Sequence, residues 1–263
     1  MTKAPGLATP CDVIPGFRLE DPARDFPFYN GVPASISNRQ WLFVMAMVVV
    51  GFLILASPIP WPKGLIWQFV PAVLMPGIPL LALAYVAPDH WKAIFGKVRG
   101  REVKLMVGFA LLNIVVSMSI GALVLAFSVT TPNAATAQLG GLDLAGRIAF
   151  FAKTIPQLFG EEVITLLPFL ALLQVFSKSF GIGRKEAIIG AWLITAMIFG
   201  LIHLPTYDWN LIQCIVVIGS ARLVLTLPWI MTKNIWVSTG AHIVNDWLLF
   251  AVSLLGAGLV GKV

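Results

Sequence analysis

Seven apolar runs dominate this chain, each long enough to cross the hydrocarbon core of a bilayer, which takes roughly 17–25 residues. They lie at Trp41–Ser57, Gly64–Ala87, Leu105–Val129, Ile148–Phe176, Ala187–Leu204, Leu211–Ile230 and Ile235–Leu255. Of the 263 residues, 58% are hydrophobic and 11% charged. A water-soluble domain of this size needs more polar surface, about 25% charged. The same shortage excludes a disordered chain, a coiled coil and a nucleic-acid binder, despite the formal net charge of +6. The expected fold is all-α, a polytopic transmembrane helical bundle of about seven to eight spans.

Residues 1–40 mix acids, bases, Pro and Gly and are expected to form an aqueous N-terminal arm, followed by a transmembrane domain over 41–263. No early apolar h-region is present, so no secretory signal peptide is expected. Cys11 and Cys214 do not make a disulfide framework. The second run contains Pro71, Pro76 and Pro79, which predicts a kinked or broken helix. The fourth is overlong and carries Pro156 and Gly160, which predicts an interfacial helix over Leu142–Thr154 and then a true span.

Lys and Arg gather in two connections. Lys92, Lys97, Arg99, Arg101 and Lys104 fall in the first; Lys178, Arg184 and Lys185 fall in the second. The stretches Pro58–Pro62 and Thr130–Leu142 have neither. Basic loops face the cytoplasm, so the N-terminus is expected there, with multi-pass insertion in a plasma or inner membrane and the basic excess against anionic lipid. Trp41, Trp61, Trp91, Trp209 and Trp236 stand at span ends, where interfacial anchors sit. His90 belongs to the first basic loop and reads as solvated.

Ionisable groups at membrane depth are functional candidates by default. The apolar runs hold Glu161, Glu162, His203, Arg222, His242 and Asp246. Glu161 and Thr165, Phe199 and His203, and His242 and Asp246 are each i,i+4 neighbours, so each helix carries a polar group on one stripe. A carboxylate with an imidazole is the minimum set for activating water. Tetrahedral chemistry also needs donors at the oxyanion, for which Asp246 and Asn245 compete beside His242. Arg222 reads either as a buried guanidinium or as a side chain snorkelling to the interface. Phe199 reads as packing. Straight spans would leave His203 and His242 at different depths, so tilt or the break at Pro205 has to bring them together.

Three motifs carry a resemblance: the pair Glu161-Glu162, Phe-x-x-x-His from Phe199 to His203, and His-x-x-x-Asp from His242 to Asp246. In this order and spacing they resemble the CPBP family, which groups CAAX prenyl proteases with bacteriocin-processing and self-immunity proteins. The resemblance implies a glutamic intramembrane protease with its catalytic helices within 148–256. Glu161 and His203 would then activate water, and His242 and Asp246 would face the oxyanion, with Glu162 and Asn245 in support. The family's usual Arg five residues after its first Glu is Leu166 here, and its commoner Asn at the end of the third motif is Asp246.

The implied substrate is a membrane-associated peptide or protein. A non-catalytic immunity or binding protein of the same fold and a small proton-coupled transporter are the alternatives; no sequence repeat relates two halves, as the latter often shows. No cofactor and no metal are expected. Two His and a Glu leave Zn²⁺ as the alternative, although His-Glu-x-x-His is absent.

Overall fold

The computed structural model describes Glu20, Asp21 and residues 24–260; Cys11 and the first half of the expected arm lie outside them. Eight α-helices follow one another: α1 (Asn38–Ala56), α2 (Phe69–Val86), α3 (Gly100–Phe127), α4 (Ala134–Gly140), α5 (Leu144–Gln174), α6 (Arg184–Ile202), α7 (Gly219–Thr232) and α8 (Ile235–Val260). A π-helical stretch, Gln213–Ile218, leads into α7, and another, Val175–Ser179, follows α5. Seven helical segments, all but α4, are long and apolar enough to cross a membrane. The all-helical fold and the multi-pass membrane class read from the apolar runs are both borne out.

Local chemistry sets several boundaries. Ser37 and Gln40 form a reciprocal capping box at the start of α1, which satisfies orphan N–H groups that a helix start leaves open. Asn133 and Asp143 cap α4 and α5 through their side-chain oxygens. α1 and α2 form a tight antiparallel pair. A Cβ at Gly51 would lie 2.6 Å from the Met75 carbonyl oxygen, so only glycine admits that approach.

α5 is the central helix: 72% of its apolar stretch is buried, against 17% for α3. It runs unbroken for 31 residues through Pro156 and Pro168. The expected division into an interfacial helix and a separate span is therefore wrong. Prolines are tolerated in spanning helices because neighbouring helices and local adjustments satisfy the freed backbone groups. Gly160, expected to cut the helix, is a close-packing point: a Cβ there would meet Met75 and Pro76 side chains of α2 at 3.0 Å. α2 likewise continues through Pro76 and Pro79.

Trp41 is not an interfacial anchor. It is 2% exposed, and its indole N–H donates to Gln174 Oε1 at 3.1 Å. The reason is that the segment before α1 folds back over it: Phe26, Phe28 and Ile36 are buried in the same core cluster. Charged groups close this end of the bundle. Arg184 donates to both Glu20 oxygens at 2.8 Å and to Asp25, and Lys233 lies 2.8 Å from Glu20. Burial alone would raise the Glu20 carboxyl, but Arg184 and Lys233 hold it down at about 2. Arg24 donates to the carbonyls of Ala93 and Phe95, and Asn234 ties Gly96 and Lys97 to the α7–α8 junction.

The opposite end is tied by different bonds. Gln213 accepts from the Thr131 N–H and donates to the Thr131 carbonyl, Asn210 donates to Val129 O, and Asn133 donates to the Tyr207 hydroxyl.

Candidate active site

A cavity of about 410 Å³ lies within the bundle between α3, α5, α6, α7 and α8. That is room for a short peptide segment rather than for a single water. Glu161, His203, Arg222, His242, Asn245 and Asp246 all line it. Every candidate from the sequence except Glu162 therefore reaches this wall, and Glu162 stands directly behind it.

The two adjacent glutamates have different surroundings, as expected for neighbours about 100° apart around a helix. Glu162 is fully buried. Arg222 donates to both of its oxygens, at 2.6 and 2.8 Å, and His242 Nδ1 lies 2.9 Å from its Oε1. Glu161 faces the cavity. Gln157 Nε2 donates to it at 3.4 Å, and its Oε2 lies 3.8 Å from His242 Nε2. Thr165, on the same stripe, turns its hydroxyl back to the Glu161 carbonyl at 2.8 Å and does not reach the carboxylate.

Arg222 does not snorkel. It is 0% exposed, because its guanidinium finds a bidentate carboxylate inside the protein. Its Nε donates to Thr226 at 3.1 Å, and its guanidinium carbon sits 5.0 Å from the Phe199 ring centre. Leu166 occupies one further turn of α5 and is 1% exposed.

The ring nitrogens have defined partners. His203 Nδ1 lies 2.7 Å from the Phe199 carbonyl, which can only accept, so this nitrogen carries the proton and Nε2 keeps its lone pair in the neutral ring. His242 Nδ1 donates to Glu162 by the same reasoning. Its Nε2 then sits between Glu161 Oε2 at 3.8 Å and Asp246 Oδ1 at 3.7 Å. Those distances are too long for direct hydrogen bonds, but one oxygen set off the line between the groups reaches both.

Depth is reconciled through Phe199. Its ring centre is 4.5 Å from that of His203 and 6.3 Å from that of His242. α6 is held against the π-helical stretch before α7 at Gly200, where a Cβ would lie 2.5 Å from the Cys214 carbonyl oxygen. This close seat brings the end of α6 beside the His242 helix.

Sequence reasoning missed part of the wall. Asn113 on α3 is 1% exposed and donates to Asn245 Oδ1 at 3.0 Å; Asn245 Nδ2 in turn donates to Asp246 Oδ1 at 2.8 Å. A single Asn inside the run "FALLNIVVSM" was the available signal. Tyr207 was also missed. Burial and the nearby Asp246 carboxylate push its phenol up to about 12. Lys153 lines the same cavity, its ammonium 5.4 Å from the Phe150 ring centre. Among the described residues no three His, Cys, Asp or Glu side chains converge as a metal-binding group.

Fold and site together define a multi-pass helical membrane protein with a glutamate–histidine cavity in its interior. Residues 144–248 match the family of type II CAAX prenyl endopeptidases, Rce1-like. The matched stretch runs from the start of α5 into α8, so it contains all three motifs and bears out the resemblance they carry. It supports a protease of CAAX type. Neither the curated proteins nor the solved structures show a significant match to the chain.

Proposed function

We propose that the protein is an intramembrane endopeptidase that hydrolyses a peptide bond of a membrane-associated peptide or protein with water activated by Glu161 and His203. The observation that carries this reading is the division of labour between the two glutamates: Arg222 and His242 occupy Glu162, while Glu161 faces the cavity 3.8 Å from His242 Nε2. A carboxylate engaged by a guanidinium is a poor base; one turned to a cavity is available. Glu161 takes a proton from water, and the His203 Nε2 lone pair orients the water or shares the proton. The hydroxide attacks the scissile carbonyl carbon, and the carbonyl oxygen becomes the oxyanion. His242 serves that oxyanion in its doubly protonated form, with Nδ1–H on Glu162 and Nε2–H in the cavity. Asp246 flanks the same nitrogen, donating when protonated and otherwise orienting the imidazole. Proton return to the leaving amine completes hydrolysis. Glu162 and Arg222 act as positioning residues, and no step in this scheme requires a metal.

The alternative of a binding or immunity protein drew its support from the absence of Arg at position 166. Arg222 supplies a guanidinium to Glu162 from the facing helix, which weakens that support. The deciding experiment compares membrane-derived peptides in cells carrying the wild type and Glu161→Gln. Fragments present only with the wild type are expected. Identical fragment profiles, with biological effect retained, would favour binding over cleavage. Chelation of purified protein should leave peptide cleavage intact; loss on chelation with recovery by zinc would place a metal in the reaction.

A further inference from the structure

The two ends of the bundle differ in charge and in closure. The basic connections at 90–104 and 177–186 lie at one end, together with Arg24, Arg39 and Lys233, as Asn234 bonding to Gly96 and Lys97 and Arg184 bonding to Glu20 show. The opposite end, joined by the Thr131–Gln213 and Asn133–Tyr207 bonds, carries Lys63, Arg147 and Lys153 alone among Lys and Arg of the described residues.

The cavity belongs to the sparsely charged end. α5, α6 and α7 contribute to its wall from their halves nearest that end, and the wall extends to Asn133, Gln138, Thr206 and Tyr207 in the connections there. Gln138 and Thr206 are exposed, so the cavity meets the surface between α4 and the α6–α7 connection. The basic end offers no such route. Phe26, Phe28 and Lys233 are buried there at 0–1% exposure, packed beneath the Glu20–Arg184 ion pair.

Because Lys/Arg-rich loops stay in the cytoplasm, we propose that the cavity is entered from the extracytoplasmic side, and that its substrate is an extended peptide segment presented outside the cytoplasm. This rests on the protease reading above and adds to it the compartment and the direction of approach. A peptide tail lying in the cytoplasm has no path to Glu161 in this orientation.

The test uses single cysteines in the full-length protein with Cys11→Ser, leaving Cys214, which is fully buried. Ala137→Cys reports the exposed face of α4, Thr206→Cys the cavity rim, and Lys97→Cys the basic end. A membrane-impermeant maleimide is applied to intact cells and to inverted vesicles. Ala137→Cys and Thr206→Cys should label fully in intact cells, and Lys97→Cys only in inverted vesicles. The reverse pattern, or equal labelling of all three in intact cells, overturns the proposal. Labelling at Ala137→Cys with none at Thr206→Cys from either side also overturns it, by closing the rim. These readouts do not depend on catalysis, so their failure is distinct from failure of the Glu161→Gln comparison.

Discussion

Arg222→Met removes one partner of a fully buried ion pair and leaves Glu162 charged or forced to take up a proton. The lost contacts are two charge-assisted bonds at 2.6 and 2.8 Å. At roughly 1.5–3 kcal/mol each, they amount to about 3–6 kcal/mol, and deleting one member of a buried pair costs about 3–5 kcal/mol by direct comparison. A loss of about 4 kcal/mol is a large share of a total stability of about 5–15 kcal/mol. Glu162→Gln should cost less, because its amide oxygen still accepts from His242 Nδ1–H. The double variant should be more stable than the sum of the singles predicts, by about 1–3 kcal/mol, since residues in direct contact couple by that order. Leu166→Arg added to Arg222→Met should recover part of the loss, because position 166 is i+4 from Glu162 and on the same stripe. The assay is unfolding of purified, detergent-solubilised protein in the Cys11→Ser background, followed by reaction of the buried Cys214 thiol with a fluorogenic maleimide. Arg222→Met within 1 kcal/mol of the parent, or strictly additive singles, would refute the reasoning.

At the third motif, Asp246→Asn should keep substantial cleavage, while Asp246→Ala should lose on the order of 2.7–4 kcal/mol of transition-state stabilisation, read as kcat on a quenched peptide. Asn245→Ala should be milder in kcat; a dead Asn245→Ala beside a near-normal Asp246→Ala would make Asn245 the donor. Gly200→Ala should lower both stability and cleavage, since its Cβ would lie 2.5 Å from the Cys214 carbonyl; an unchanged melting temperature would contradict that packing. The Glu20 carboxyl is held at about 2 against an ordinary 4.5, so its contribution is full above about pH 4.5 and lost as the pH falls toward 2. That contribution, at most about 3 kcal/mol, should vanish in Glu20→Gln, seen as a shallower acid dependence of unfolding.

The spans were legible because a bilayer demands long apolar runs, and the polar candidates because charges at membrane depth stand out against them. Pairing was not legible. Glu161 and Glu162 are neighbours in sequence, and only the rotation of α5 against α7 determines which of them meets Arg222. Asn113 was missed because one amide in an apolar run carries no partner in its own helix; its bond to Asn245 spans 132 positions. Pro156 and Gly160 carried a local signal to break the helix, which α2 packing along α5 overrode. Trp41 sat at a span end in sequence, but the preceding segment covers it.

The π-helical stretch Gln213–Ile218 has a bearing on how this span tolerates insertions and deletions. Its wider, i→i+5 turns place one more residue before Arg222 than an α-helix of the same rise would hold. Removing a single residue there would leave composition and hydropathy nearly unchanged, yet would rotate everything downstream by about 100°. Arg222 would swing off Glu162, and His242 would lose the carboxylate arrangement that the guanidinium holds in place. Substitution by another apolar residue at an outward position would do neither. Residue count, more than residue identity, is what this part of the span has to preserve.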